Sequence, residues 1–385
     1  MRGILRLLIA AVLLAAIAGC SPRPGVSFLA ALDILSDKEN GYLSRIYPDV
    51  DRASLRFSAR ERAISADLYR LPGQGDSGER PGLLVIHGLA EMGKDDPHLI
   101  RFSRTMARAG FAVLVPDFPG MKSFRVRKTS VEAAAAAFDH LVSRVPRIRK
   151  KDSGILGISF GGGIGLLAAA QPEVRRKVAY VVSFGGYYDL PNVIRYYTTR
   201  RFAYGREQGV GNPAPRAKWR LISKNLDFLE EADDQRNFEI LCRRKLRDES
   251  ADVGDLTGKL TPAGRALYDV LANTEFSRFP ALYERISPRM RGLLEDLSLS
   301  GKIRDVQADI ILSHGIPDPL IPHTETLRLA DALKGRPNLS VTLLRLFRHV
   351  DPKEGGTEPL GLLDRTKEGW KFFRLVDRIR TRAGL

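Results

Sequence analysis

The sequence predicts an α/β fold, a mostly parallel central sheet with helices on both faces. Three observations carry that reading. Short apolar runs recur along the 385 residues, segments of helical period lie between them, and most runs stop at Gly, Pro or Asp.

In chain order, an early hairpin covers about 53–69, and 73–82 reads as a surface connection. Residues 80–89 form an apolar strand ending in His87-Gly88. Residues 97–109 place Leu99, Ile100, Phe102, Met106 and Ala107 at roughly helical spacing. Residues 110–120 give a second strand, closed by Pro116-Asp117. The next helix, about 130–144, has Ser130 as candidate N-cap and Ala133 to Ala137 as strong helix formers. Further strands follow at 153–158, 177–184, 308–315 and 339–347. In 361–381, Leu363, Trp370, Phe373, Val376 and Ile379 fall near one helical face, as in a terminal helix packed on the sheet.

The most informative stretch is Gly157-Ile158-Ser159-Phe160-Gly161, which fits G-x-S-x-G. Alone, the pentad also describes a glycine-rich turn with an incidental serine. Here a strand precedes it, and a small-residue run, 162–170, follows as a closely packed helix. Strand, serine, tight turn and helix in that order make a nucleophile elbow, whose serine sits on a strained turn.

With these residues the chain resembles the α/β-hydrolase family. The resemblance covers 53–189 and 308 to the C-terminus. It is carried by His87-Gly88 after a strand, the Ser159 pentad, Asp318 within His314-Gly-Ile-Pro-Asp-Pro-Leu-Ile-Pro322, and His349 past the last strand. The order Ser…Asp…His is the one this family uses. The Ser-Phe-Gly-Gly form looks like the dienelactone-hydrolase and peptidase-like branches. The resemblance implies an α/β-hydrolase fold with a helical cap insertion.

It also implies roles. Ser159 would be the nucleophile and His349 the base that takes its proton. Asp318 would orient the imidazole and stabilise its cation. The oxyanion donors would be the backbone N–H groups of Phe160 and Leu89. Asp189, after the preceding strand, is the alternative acid. Asp318 also reads as a turn residue in Ile-Pro-Asp-Pro, and His349 as a surface histidine. His87 would shape the oxyanion loop, and His314 reads as a packed strand-end residue. His323 reads as exposed in a first turn, and His98 and His140 as helix-face residues. No histidine–carboxylate spacing points to a metal, and no cofactor is implied.

At the N-terminus, Arg2 and Arg6 precede an apolar run, 7–18, that is short for a bilayer span. It ends in Ile17-Ala-Gly-Cys20, which resembles the bacterial lipoprotein box. Residues 1–19 are then a signal peptide, Cys20 the lipidated residue, 21–25 a short tether, and 20–52 an N-terminal segment. The alternatives are an ordinary signal peptide or a short anchor helix. The lipoprotein reading places the protein in the bacterial cell envelope, membrane-anchored through acyl chains such as palmitate, with its catalytic domain outside the cytoplasm. Cys242 is the only other cysteine, so no internal disulfide is expected.

The net charge is +16, with arginines scattered rather than blocked. No nucleic-acid-binding module accompanies it. Attraction to anionic lipid is one use; a host with generally basic proteins is the other reading.

Length fits one large catalytic domain with an elaboration. Core segments 53–189 and 303–385 flank an insertion at 190–302, where helices are expected at 216–229, 237–246, 262–272 and 280–294. Thr261-Pro262 and Ser287-Pro288 read as N-cap and N1 pairs. Such an insertion would shape the substrate pocket. Tyr187, Tyr188, Tyr196 and Tyr197 at its entry read equally as pocket lining or hinge packing. The expected reaction is acyl transfer from a small-molecule ester to water. A peptidase or acyltransferase on the same scaffold, and a non-catalytic envelope lipoprotein, are the alternatives.

Overall fold

The computed structural model describes residues 23–36, 41–59, 62–72, 78–349 and 360–385. The signal segment, Cys20 and residues 73–77 of the surface connection therefore lie outside the described residues.

The sheet is eight-stranded. Its strands are β1 (Asp51–Ala59), β2 (Arg62–Arg70), β3 (Gly82–Ile86), β4 (Ala112–Pro116), β5 (Gly154–Ile158), β6 (Tyr180–Phe184), β9 (Asp309–Gly315) and β10 (Leu339–Leu344). They lie in the order β1-β2-β4-β3-β5-β6-β9-β10. β1 and β2 pair antiparallel, and β2 runs antiparallel to β4; from β4 to β10 every pairing is parallel. The remaining strands, β7 (Arg201–Tyr204) and β8 (Glu207–Val210), form a separate hairpin.

All residues of β3 and β4 are buried, as expected of parallel strands covered on both faces. Leu84 and Ile86 belong to one core with α3 (Lys128–Arg144), α4 (Phe160–Ala169) and the insertion. Leu83 and Val85 point into the other, with α1 (Arg23–Leu35), α2 (Pro97–Arg108) and α11 (Leu362–Arg382). This is the period-2 alternation of a strand distributing its side chains between two helical layers.

Helix starts follow capping chemistry where the sequence supplies it. Asp96 Oδ1 accepts from the His98 and Leu99 amides at 2.8 and 3.3 Å, with Pro97 opening α2. Thr261 and Ser287 do the same for Gly264 and Met290 at α8 (Pro262–Ala272) and α9 (Pro288–Leu297).

Elsewhere the structure corrects the expected boundaries. α3 begins at Lys128, and Ser130 is buried inside its first turn rather than capping it. The entry is set by Arg127, whose guanidinium holds Asp227 at 2.6 Å and Asn225 at 2.7 Å across about a hundred residues. The insertion carries α5 (Leu190–Thr199), α6 (Ala217–Ser223) and α7 (Ala232–Arg247). α6 ends six residues before the expected stop, and the single helix expected at 280–294 is two, Phe279–Tyr283 and α9. Pro288 holds Ser287 in a non-helical backbone, ψ 143°, which separates the two helices and leaves Pro288 to open the second. The tether reading also shortens, because Arg23, Pro24 and Gly25 already belong to α1.

α1 is held to α11. Arg380 donates to the Arg23 carbonyl at 2.6 Å, to Ser27 Oγ at 2.8 Å and to the Ala109 carbonyl at 3.1 Å, and Ser27 Oγ donates to Asp377 at 2.7 Å. Among the described residues no helix is long and apolar enough to cross a membrane. Cys242 is buried as a free thiol.

Candidate active site

Parallel sheets present their loops, and their ligand crevices, at the carboxyl ends of the strands. Ser159 follows β5 there and stands immediately before α4. Its backbone is at φ 57°, ψ −128°, a conformation rare for a residue with a Cβ. Two hydrogen bonds hold the strained turn: Ser159 N donates to the Phe184 carbonyl at 2.8 Å, and Gly162 N to the Ser159 carbonyl at 2.8 Å. The turn demands close packing. A Cβ on Gly161 would meet the carbonyl oxygens of Ile86 and His87, which are backbone and cannot swing aside. Gly161→Ala is therefore expected to lower stability by about 1–3 kcal/mol, measured by denaturant melts.

Asp318 and His349 come from the loops after β9 and β10. His349 Nδ1 donates to Asp318 Oδ2 at 2.6 Å, leaving Nε2 as the acceptor. His349, like Ser159, has positive φ, 62°. Asp318 Oδ1 accepts from the Leu320 and Ile321 amides at 2.7 and 2.9 Å. A second imidazole, His314 on β9, brings Nε2 within 3.2 Å of the same Oδ2. That nitrogen also donates to the Ile321 carbonyl at 2.9 Å, and Nδ1 accepts from Thr326 Oγ1 at 2.7 Å, so the tautomer is determined by its neighbours. Burial pushes the Asp318 carboxyl up, but His349 and His314 outweigh it and hold the group well below the usual carboxylate range. Four donors thus surround one ionised carboxylate. Sequence reasoning reads His314 as packing alone; its place four residues before Asp318 is the only signal of the contact.

His87 is buried and neutral. Burial lowers its pKa, Nδ1 donates to the Gly88 carbonyl at 2.7 Å, and Nε2 accepts from Phe118 N at 3.4 Å. It ties the loop after β3 to the end of β4. That loop lies on the serine: a Cβ at Gly88 would come within 3.0 Å of Ser159 Cβ.

A cavity of about 600 Å³ opens beside Ser159. Leu89, Phe160 and Leu320 line it from the core, and α5, α6, α8 and α9 from the insertion. Tyr187 and Tyr197 line it too. The Tyr187 hydroxyl also donates to the Leu297 carbonyl at 2.9 Å, so this residue serves wall and hinge alike. Tyr196 instead donates to the Asp318 carbonyl at 3.1 Å. His323 departs from expectation. It is buried, its ring set edge-on to Phe202 of β7 at 5.2 Å and its Nδ1 donating to the Ile316 carbonyl at 3.2 Å, because the β7–β8 hairpin covers it. His98 is a helix-face residue contacting Arg101, and His140 stacks on Phe57 at 4.0 Å.

A sequence profile described as "Alpha/beta hydrolase family" matches residues 83–345, more than half the chain. The chain belongs to the alpha/beta hydrolase family. The match runs from β3 to the end of β10 and stops short of His349. Among solved structures, a puromycin-hydrolyzing peptidase of Mycobacterium tuberculosis shares the fold, with TM-score 0.51 and 15% identity over 85% of this chain and 38% of that one. The acylaminoacyl peptidase of Pyrococcus horikoshii is also similar (TM-score 0.49, 12% identity, 89% of this chain, 42% of that one). So is a dienelactone hydrolase-like phosphotriesterase from metagenomic libraries (TM-score 0.45, 15% identity, 86% of this chain, 99% of that one). This chain spans less than half the length of either peptidase. The comparison with curated proteins found no match.

In this family member the other acid considered, Asp189, is engaged elsewhere. It stands at the start of α5, accepts from Asn192 at 3.3 Å, and burial raises its pKa. Its amide and that of Tyr188 donate to Glu325 Oε2 at 2.7 and 3.1 Å. Glu325, in the first turn of α10 (Thr324–Ala332), is fully buried, and burial pushes its carboxyl up to about 7 against the opposing pull of the Asp189 amide and Arg328. An acid that holds its proton more tightly folded than unfolded loses stabilisation as pH rises from the unfolded value, about 4.5, to about 7. Glu325→Gln should flatten this part of the stability profile, by about 1–3 kcal/mol between pH 5 and pH 8. Urea melts of both proteins at the two pH values measure it.

Proposed function

We propose that the protein is a serine hydrolase that cleaves a carboxylic ester through an acyl-serine intermediate. Ser159 Oγ attacks the ester carbonyl while His349 Nε2 takes its proton. Asp318 keeps Nδ1 protonated and steadies the imidazolium. The N–H groups of Phe160 and Leu89 receive the oxyanion. His349 returns the proton to the departing alkoxide, which leaves as the alcohol. It then takes a proton from water, whose oxygen attacks the acyl-enzyme and releases the acid, restoring Ser159. No cofactor enters.

The observation that carries this reading is the 2.6 Å bond from His349 Nδ1 to a carboxylate saturated by donors, on a loop whose Leu320 and Ile321 line the same cavity as Ser159 in its strained turn. The lining is largely aliphatic and aromatic, which favours an ester with an apolar chain over a peptide, whose repeated amides would need more partners than it offers. The bacterial lipoprotein reading of Cys20 belongs to the same proposal and places the hydrolase on the envelope membrane. A fluorophosphonate probe should label the purified protein at Ser159; absent labelling, or labelling that persists in Ser159→Ala, overturns the nucleophile.

A further inference from the structure

The cavity beside Ser159 carries charge of one sign. Arg216, Lys218 and Arg220 line it, and among the described residues no carboxylate does. All three come from one stretch at the start of α6. Ala217, Leu221 and Ile222 of the same stretch line it too, so the basic residues stand among aliphatic ones.

The Lys218 ammonium is compensated by an ion pair whose acid is half open to solvent. The Lys218 side chain is 13% exposed, and its acidic neighbour, Glu249, is at 3.7 Å and itself about half exposed at 48%. This is beyond hydrogen-bond reach. The ammonium also lies 5.4 Å from the Trp219 ring centroid. A cation withdrawn from water is stable when an anion or strong acceptor meets it. Burial works against its charged form, with Glu249 offsetting part of that. Arg220 lies 5.5 Å from the centroid of Phe124, another lining residue. Arg216 enters α6 with φ 61°, a left-handed backbone that long side chains rarely adopt. The cavity volume of about 600 Å³ sits mid-range for small-molecule sites, about 300–1,000 Å³. It has room for an apolar chain as well as a charged group.

We infer that this cavity selects esters whose apolar branch ends in an anionic group, a carboxylate or a phosphate, seated against Lys218 with Arg216 and Arg220 beside it. The reactive end of such a substrate rests on the proposed chemistry at Ser159; the anion seat does not. Positive walls without a carboxylate admit that charge, whereas an equally long neutral chain leaves Lys218 only its half-exposed ion pair with Glu249.

The test is binding, without turnover. Monomethyl and dimethyl suberate have the same carbon chain and differ in whether one end is a carboxylate or a neutral ester. Calorimetry on the Ser159→Ala protein should give the monoester about 10- to 100-fold tighter binding, the range of a hydrogen bond to a charged group. Lys218→Met in that background should bring the two affinities together, and Arg220→Gln should narrow the gap. Across the monomethyl esters from succinate to sebacate, the preference should peak at one length. Equal affinities, tighter binding of the diester, or a preference unchanged by Lys218→Met would overturn the inference. Fluorophosphonate labelling of the unsubstituted protein reports on the nucleophile separately, so an unlabelled protein that still prefers the monoester would refute the hydrolase reading and leave the anion seat standing.

Discussion

Ser159→Ala is expected to abolish turnover of p-nitrophenyl esters, lowering kcat by about 10⁴- to 10⁶-fold while leaving the fold intact. The size follows from the chemistry. Without Oγ no acyl-enzyme forms, and what remains is catalysis by polarisation and binding alone. The fold should survive because the elbow is built from backbone. The Phe184 carbonyl and the Gly162 amide hold residue 159, and neither bond uses the hydroxyl. Steady-state kinetics with a circular-dichroism melt on the same preparation checks both halves. Full activity in the variant would remove Ser159 from the mechanism, and a non-catalytic lipoprotein would show no turnover in either protein.

Asp318→Asn should lower kcat/KM by about 10⁴-fold and destabilise the protein as well. The carboxylate is met only by donors: Leu320 N and Ile321 N on one oxygen, His349 Nδ1 and His314 Nε2 on the other. An amide must turn its NH2 toward one of these pairs. Toward the amides, it sets two fixed N–H groups against a third donor, which costs about 1–3 kcal/mol for the group left unpaired. Toward the imidazoles, it moves the proton of His349 to Nε2, the atom that must accept the serine proton. Asp189→Asn is the control. Asp189 contacts Asn192 and the hinge of α5, so its loss should change kcat/KM by less than about tenfold. The reverse ranking of the two variants would exchange their roles.

Much of the sheet was legible because its signals are local. Five-residue apolar runs between helical segments give β3 to β6, and Pro after Thr or Ser marks where α8 and α9 begin. The Ser159 turn was legible for the same reason, since its glycines and flanking elements are contiguous. The rest depends on partners remote in the chain. Ser130 has the right chemistry for a cap, yet Arg127 takes the entry to α3 through Asp227. His323 reads as exposed until the β7–β8 hairpin closes over it. Nothing in the sequence sets Glu325 apart; its burial against residues 188–189 follows from tertiary packing alone. His314 has an apolar neighbourhood in the sequence and a carboxylate neighbour in space.

The clasp between the two ends of the chain limits how the protein can be matured. Arg380 is buried and gives one of its nitrogens to the Arg23 carbonyl and Ser27, and another to the Ala109 carbonyl. A protease that trimmed past residue 27 would leave a guanidinium facing an empty groove and strip a helix from the apolar flank of α11. Cleavage at Cys20, as the lipoprotein proposal has it, falls ahead of Arg23, so under that proposal the first helix stays with the mature protein as part of its body.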